Sequence, residues 1–443
     1  MSSDLITIAR SGTKAARIAL DVTAQNIANA GTAGYVRRSV QMEELSSTSA
    51  LNRDVSFSGV RLDRIVRNAD AFRQAEVRRT GADASRANAE VAGLENIESA
   101  VEQAQLYPAI VQFEASLQQL AADPVDPSLR AALVEDARTM TRAFNIASSA
   151  LQAVGEGLRF EAADGVTQVN KLTSELAQLN LRLARSADAS SDQTALLDRR
   201  DLLLEQLSGY VEIGAIIAPN QTVEVRLGGT SGLPLVSGGT TGTLAMSAAA
   251  DGTISFTLDG TATTPAAGSL AGKAQALSKL ANISAGLDGL ATSLAATVNA
   301  AQAAGVALDG SAGQPMFSAT GAGDITLTFN DGSMIATAPA GAGAGSRDQS
   351  NLAALRSALG TTNPAGAMDG LIFGISSAVQ SASTTRDTLE TIAGTARIAL
   401  QAQSGVDLDQ EAVNLLRYQQ AFQASGRAIQ VAADIFDTLL GIR

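Results

Sequence analysis

Leu408, Leu415, Phe422, Ile429 and Phe436 recur every seven residues through the last forty positions of the chain. That period is the seam of a coiled coil and is narrower than the stripe of an ordinary surface helix. Residues 404–443 therefore read as one amphipathic helix, with a break near Ser404 and Gly405. Ala412, Gly426 and Ala433 stand four places beyond three of the bulky residues and leave room for a neighbouring helix. A second stripe lies at the opposite end, where Leu5, Ile8, Gly12, Ala15, Ala19 and Val22 alternate steps of three and four. The two stripes are natural partners for each other, or for copies of each other.

The helix at the front is expected to stop in Asn26–Arg38, NIANAGTAGYVRR, where Asn29, Gly31 and Gly34 tolerate positive φ. Tyr35, Val36, Val40 and Met42 suggest a strand. A polar loop over Ser46–Asp54 follows, and Val55, Phe57, Val60, Leu62, Ile65 and Val66 suggest a returning extended segment. From Asp70 to about Leu207 the pattern is helical. Pro108 opens one helix, DPVDP (123–127) breaks the run, Gly155, Gly157 and Gly165 are weak points, and 190–194 is a loop. At Tyr210 the period changes to two. Gly228-Gly229, Gly238-Gly239, Asp251-Gly252 and Asp259-Gly260 then punctuate short hairpin strands. A helix over 270–304 interrupts this region, a strand over Ile325–Phe329 resumes it, and the Gly/Ala tract 338–345 reads as a linker.

The expected fold is mainly α with an inserted β-rich domain, its long terminal helices forming a coiled-coil-like inner domain beside a helical bundle. The expected division is 1–69, terminal helix and extended hairpin; 70–208, long-helix bundle; 209–345, β-rich outer domain with its internal helix; 346–403, returning helices; and 404–443, terminal helix. Both ends belong to one helical region, and the β domain is nested inside it.

Composition removes whole classes of chemistry. Of 443 residues none is Cys or His, so thiol nucleophiles, disulfides, His or Cys metal sites and Ser–His pairs are excluded. A net charge of −12 disfavours nucleic acid as a partner. Aromatics are 3% of the chain, so its apolar content is mostly Ala, Leu, Val and Ile, which suits helix packing. No stretch approaches a membrane span, and Met1-Ser2-Ser3-Asp4 does not begin a secretory signal. GSLAGK (268–273) fails as a phosphate loop, because Ala267 stands where the first Gly belongs and Ala274 replaces Ser or Thr. GAGAGS at Gly341 is low-complexity sequence. Asp407, Asp409 and Glu411 read as acids favouring a helix N-terminus. Asp198-Arg199-Arg200-Asp201 reads as a solvated, paired helix face, and Arg37-Arg38 and Arg78-Arg79 as surface arginines. No catalytic residue, cofactor site or metal site is expected.

Three stretches carry a resemblance. NIANAGTAGYVRR, with Asn26, Ile27, Asn29, Gly34, Tyr35 and Arg37, resembles the N-terminal signature of the bacterial flagellar rod, hook and hook-associated proteins. SGVDLDQEAVNLLRYQQAFQASGRAIQVAADIFDTLLGIR (404–443) resembles their C-terminal signature, and its ending is closest to the hook-associated members. LQQLAADPVDPSLRAALVEDA (117–137) resembles the helical domain of the hook-associated members at the hook–filament junction.

This resemblance implies a structural adaptor and no enzyme. The chain would be exported through the flagellar apparatus without a cleaved signal peptide and lie outside the cell in the flagellum. It would form a homo-oligomeric ring at the hook tip, against hook protein and a second junction protein, with an export chaperone beforehand. Leu5, Ile8, Ala15, Ala19 and Val22, with Leu408, Leu415, Phe422, Ile429 and Phe436, would be assembly residues. In the monomer the terminal stripes are expected to lack a partner and to order on assembly. Rival expectations are a distal rod or hook subunit, or an adhesin or ligand-binding protein using the β domain.

Overall fold

The computed structural model describes residues 2–47, 56–186 and 191–441. In chain order, α1 (Ser2–Ala28) precedes β1 (Arg38–Ser47) and β2 (Ser56–Arg67). Helices α2 (Ala71–Gln103), α3 (Leu106–Leu120), α4 (Pro127–Leu183) and α5 (Ser191–Tyr210) follow. Next come β3 (Ile213–Ile217), β4 (Val223–Leu227), β5 (Leu233–Ser237), β6 (Thr240–Thr241), β7 (Leu244–Ala248), β8 (Ile254–Leu258) and β9 (Thr261–Thr263). Helix α6 (Ser269–Ala304) leads to the two-residue strands β10 (Gly305–Val306), β11 (Phe317–Ser318), β12 (Thr326–Leu327) and β13 (Ala338–Pro339). Helices α7 (Ser350–Thr362), α8 (Pro364–Ser404) and α9 (Leu408–Gly441) close the chain.

Local chemistry sets the helix starts. Asp70, Asp126 and Asp407 each turn a carboxylate oxygen back onto the free backbone N–H groups of the first turn of α2, α4 and α9. Pro127 and Pro364 occupy first helical positions, where the missing N–H costs nothing. Helix α4 runs unbroken for 57 residues. The expected weak points at Gly155, Gly157 and Gly165 do not interrupt it, because buried Leu151, Leu158, Ala162 and Val166 carry the helical stripe across them. Helix α5 begins at Ser191, so the expected loop over 190–194 is replaced by a first helical turn from 191. Ser190 and most of the expected 46–54 loop lie outside the described residues. Of the three positions expected to tolerate positive φ, only Gly34 uses it, at +76°.

The chain divides into two compact units, each assembled from separated stretches: residues 1–82, 169–243 and 390–443 in one, 83–168 and 244–389 in the other. The single β-rich domain expected over 209–345 is therefore split. Strands β3–β6 form a four-stranded antiparallel sheet in the first unit, and β7–β9 a three-stranded sheet in the second. The period-two pattern reports strands but not which strands pair, and pairing stops between Thr241 and Leu244.

In the second unit, the inward faces of α2, α3, α4, α6, α7 and α8 share one core. Ile97, Ile110, Phe113, Leu133, Met140, Phe144 and Val298 lie in it at or near zero exposure. Phe113 and Phe317 meet edge to face, with ring centroids 5.9 Å apart. GSLAGK caps and opens α6. A Cβ on Gly272 would lie 2.1 Å from the Arg86 carbonyl oxygen, so this glycine exists for helix packing. Lys273 pairs with Glu161 at 2.9 Å. The 338–345 tract is not a free linker. Ala338 is buried, β13 pairs with β10, and the Gly345 N–H donates to the Leu308 carbonyl at 2.7 Å. Arg130, 1% exposed, ties this region to the start of α4. Its Nε donates to the Pro124 carbonyl at 2.6 Å, Nη1 to those of Gly332 and Ile335 at 3.0 and 2.9 Å, and Nη2 to Thr337 Oγ1 at 2.9 Å.

In the first unit, α1 packs between α9 and the β1–β2 hairpin. The expectation that the terminal stripes lack a partner within the monomer is thereby corrected: they face each other inside one chain.

Candidate functional site: the meeting of the two ends

Two contacts fix how α1 and α9 lie. Asn26 near the end of α1 meets Glu411 in the first turn of α9, and Gly12 packs on Ser425. The helices are therefore antiparallel. This register sets Ile8, Ala15 and Val22 opposite Ile429, Phe422 and Leu415. Between them, Leu5, Gly12, Ala19 and Asn26 stand opposite Ala432, Ser425, Tyr418 and Glu411. The contact is close because it is small: a Cβ on Gly12 would sit 2.9 Å from Ser425 Oγ.

The ten predicted assembly residues thus share one pair of helices but differ in burial. Ala15, Ala19 and Val22 are buried, and Ile8, Leu415 and Ile429 are half-buried. Leu5, Leu408, Phe422 and Phe436 stay exposed. Among the described side chains of α9, Glu411 and Ala432 are the buried ones, in the second heptad row rather than the bulky first one. Val413, Leu416, Val431 and Ile435 form a further exposed apolar row on α9.

At one end of this pair the N-terminal signature closes on the start of α9. The Asn26 amide pairs with the backbone of Arg38 like a neighbouring strand: Nδ2 donates to the Arg38 carbonyl at 2.9 Å, and Oδ1 accepts from the Arg38 N–H at 3.0 Å. The Tyr35 hydroxyl donates to the same Oδ1 at 2.8 Å. Asn26 Nδ2 also donates to Glu411 Oε2 at 3.1 Å, and Arg37 Nε to Glu411 Oε1 at 2.7 Å. Glu411, 1% exposed, is thus a buried carboxylate with both oxygens engaged. The Arg37 N–H donates to the Ser404 carbonyl at 3.0 Å, holding the α8–α9 break. Burial pushes the Tyr35 phenol above its ordinary value, against the pull of Arg38.

A second charged cluster anchors the hairpin base to α5. Arg38 Nη2 donates to Asp198 at 3.0 Å, while Arg67 Nη2 lies 2.8 Å from Asp198 and 2.9 Å from Asp201. Arg200 grips Asp201 Oδ1 through Nε and Nη2, and Gln74 donates to Oδ2 at 2.9 Å. Arg38 Nε makes no hydrogen bond. Its guanidinium lies 5.1 Å from the centre of the Tyr35 ring, a cation–π arrangement. Burial pushes the Asp201 carboxyl up, but Arg200 and Arg67 together outweigh it and hold it below the usual value. For Asp198, burial wins over Arg67 and Arg38, and its carboxyl is raised. Burial pushes the neighbouring Arg78 guanidinium down.

The readings of Asp198-Arg199-Arg200-Asp201 as a solvated face, and of Arg37 and Arg38 as surface arginines, are corrected. Only Arg199, paired with Glu175, fits the former. Acid and base alternate here because each must neutralise a buried charge from another element. Of the signature residues, Asn26, Tyr35 and Arg37 converge on Glu411. Gly34 makes the turn under Leu202, Ile27 is half-buried, and Asn29 serves the local turn through Gln25 and Thr32. Sequence reasoning read Glu411 only as a helix-start acid, without its inward role, and missed Arg67 and Gln74. The signal for Glu411 was present, since it starts the row 411, 418, 425, 432, at heptad spacing and on the inward side.

Among the described residues, no group of three or more His, Cys, Asp or Glu side chains is placed to hold a metal ion, and no helix is long and apolar enough to cross a membrane.

Comparison with known proteins gives this geometry its context. The family described as "Flagellar hook-associated protein FlgK helical domain" matches residues 91–317, just over half of the chain. "Flagella basal body rod protein" matches 6–35 and "Flagellar basal body rod FlgEFG protein C-terminal" matches 401–442, the two segments that meet at Asn26 and Glu411. Flagellar hook-associated protein 1 of Bacillus subtilis is 25% identical over 98% of this chain and 96% of its own length. Its namesake in Salmonella typhimurium is 28% identical over 53% of this chain and 42% of its own length. The fold is shared with the flagellar hook junction protein FlgK of Burkholderia pseudomallei, at a TM-score of 0.64 and 17% identity, covering 74% of this chain and all of that one. With its helical domain matched across half its length and rod-type segments at both ends, the chain belongs to the flagellar hook-associated protein FlgK family.

Proposed function

We propose that this chain is the structural adaptor of the hook–filament junction, assembling at the hook tip and joining hook to filament. The observation that carries the reading is the combination of a rod-type antiparallel end pair, α1 with α9, and a helical domain of the hook-associated type. The end segments resemble those of rod proteins, and the helical domain of the hook-associated type favours this reading over a plain rod or hook subunit. Its partners are further copies of itself in a ring, hook protein, a second junction protein and, before assembly, an export chaperone. It leaves the cell without a cleaved signal peptide. Support for self-assembly comes from the apolar surface that the intramolecular pairing leaves open: Leu5, Leu408, Phe422 and Phe436, and the outer row Val413, Leu416, Val431 and Ile435.

Deletion of the gene followed by electron microscopy tests the role. Cells with hooks but without filaments, shedding unassembled flagellin, are expected. Hookless cells would place the chain in the rod or hook instead, and normal filaments would overturn the proposal.

A further inference from the structure

The seam between α1 and α9 is poor in features that choose a register. On the α1 side its rows include the small Gly12, Ala15 and Ala19, and on α9 small Ser425 and Ala432 recur seven residues apart. Sliding one helix by a heptad would set Gly12 opposite Ala432 in place of Ser425, small for small, and would give Ala19 the small Ser425 in place of Tyr418, so neither exchange creates a clash. An apolar seam of this kind discriminates weakly between registers. Glu411 and Asn26 break the degeneracy. In the observed register the buried carboxylate has two donors, Asn26 Nδ2 and Arg37 Nε. A heptad slip in one direction buries Glu411 against Ala19, which has no side-chain donor. In the other direction Glu411 passes the end of α1 at Ala28, and Asn26 loses the carboxylate.

We propose that Glu411, with Asn26 as its mate, is a register key: a buried polar pair that specifies one alignment of the two terminal helices. The consequence reaches the surface, because the register decides which α9 residues remain outward for neighbours. The key acts within one chain, so it holds independently of where in the flagellum the protein sits.

Because the chain contains no Cys, introduced cysteine pairs report without background. The ideal Cβ of residue 12 lies 3.7 Å from Ser425 Cβ, within the span of a disulfide. Full-length protein carrying Gly12→Cys with Ser425→Cys reads the native register. Gly12→Cys with Ala432→Cys, or with Tyr418→Cys, reads a slip of one heptad in either direction. With Glu411 intact, oxidation is expected to link only the 12–425 pair, at least about a hundredfold over either slipped pair, as a discrimination of a few kcal/mol implies. In Glu411→Leu the slipped pairs should come within about tenfold of the native one, while Glu411→Gln, which still accepts from Asn26, should keep the native preference. Undiminished preference for 12–425 in Glu411→Leu would overturn the proposal, since packing alone would then set the register. Loss of all three cross-links in Glu411→Leu would overturn it equally, because the residue would then be needed for pairing as such.

Discussion

Replacing Arg130 by Met should cost the second unit about 3–5 kcal/mol, the net of charge-assisted hydrogen bonds lost, desolvation relieved and acceptors stranded. Three contributions make up the figure. Arg130 makes four hydrogen bonds from a 1% exposed side chain, to Pro124, Gly332, Ile335 and Thr337. Bonds from a charged donor contribute roughly 1.5–3 kcal/mol each. Against their loss stands the relief of desolvation, several kcal/mol for a buried guanidinium whose hydrogen-bond partners include no carboxylate. Burial already pushes that guanidinium below its ordinary value. The third contribution comes from the acceptors left behind. Ile335 and Thr337 are 3% and 2% exposed, so water cannot replace the lost donors without opening the site, at roughly 1–3 kcal/mol per orphaned group. Met fills similar volume, which keeps the cavity contribution small. Arg130→Lys keeps the charge but not the planar fork that reaches three segments at once, so it should lose about half as much. The assay is urea unfolding by circular dichroism, with hydrogen exchange read segment by segment. Protection should fall first over 332–337. A change within about 0.5 kcal/mol for Arg130→Met, the range of an ordinary surface substitution, would refute the reasoning.

Two glycines inside helices should respond to alanine with opposite sign. Gly272→Ala would drive a Cβ to 2.1 Å from the Arg86 carbonyl and should destabilise by about 1–3 kcal/mol, whereas Gly157→Ala meets nothing within 4 Å and should gain about 0.5–1 kcal/mol. Thermal unfolding of the two variants checks this. Asp201 titrates below its ordinary value in the folded chain, so its stabilisation is present above the unfolded carboxylate pKa and is lost as pH falls through the folded one. Asp201→Asn should therefore be less stable than the parent at pH 7, and the gap should close below about pH 4. A gap that stays constant from pH 7 to pH 3, measured by urea unfolding, would contradict the assignment.

Periodicity made most of the fold legible. The stripe Leu277, Leu280, Leu287, Leu290, Leu294 and Val298 located α6 to within a residue at its start, and Leu5 to Val22 located α1. The end-to-end pairing was legible as a possibility, since two seven-residue stripes with small residues need each other. What stayed hidden were relations between distant residues. Asp198 and Asp201 look like any charged helix face until Arg38 and Arg67 arrive from the hairpin. The four-stranded sheet ends before Thr243 and the three-stranded sheet starts at Leu244, although the hairpin pattern runs on across them. Glu411 shows why a helix-start acid is ambiguous: Asp407 does cap α9, while its neighbour one turn on faces inward.

The Asn26–Glu411 hydrogen bond joins residues 385 positions apart. Closing a loop of that length through unstructured chain costs about 5 kcal/mol in entropy, more than one buried hydrogen-bonded contact returns. The ends therefore meet after the stretches between them have folded and shortened the gap. During synthesis the face of α1 that carries Ala15, Ala19 and Val22 waits uncovered until α9 leaves the ribosome. Helix α1 is thus made long before it is completed, and the nascent chain carries an adhesive apolar stripe through the translation of everything between α1 and α9.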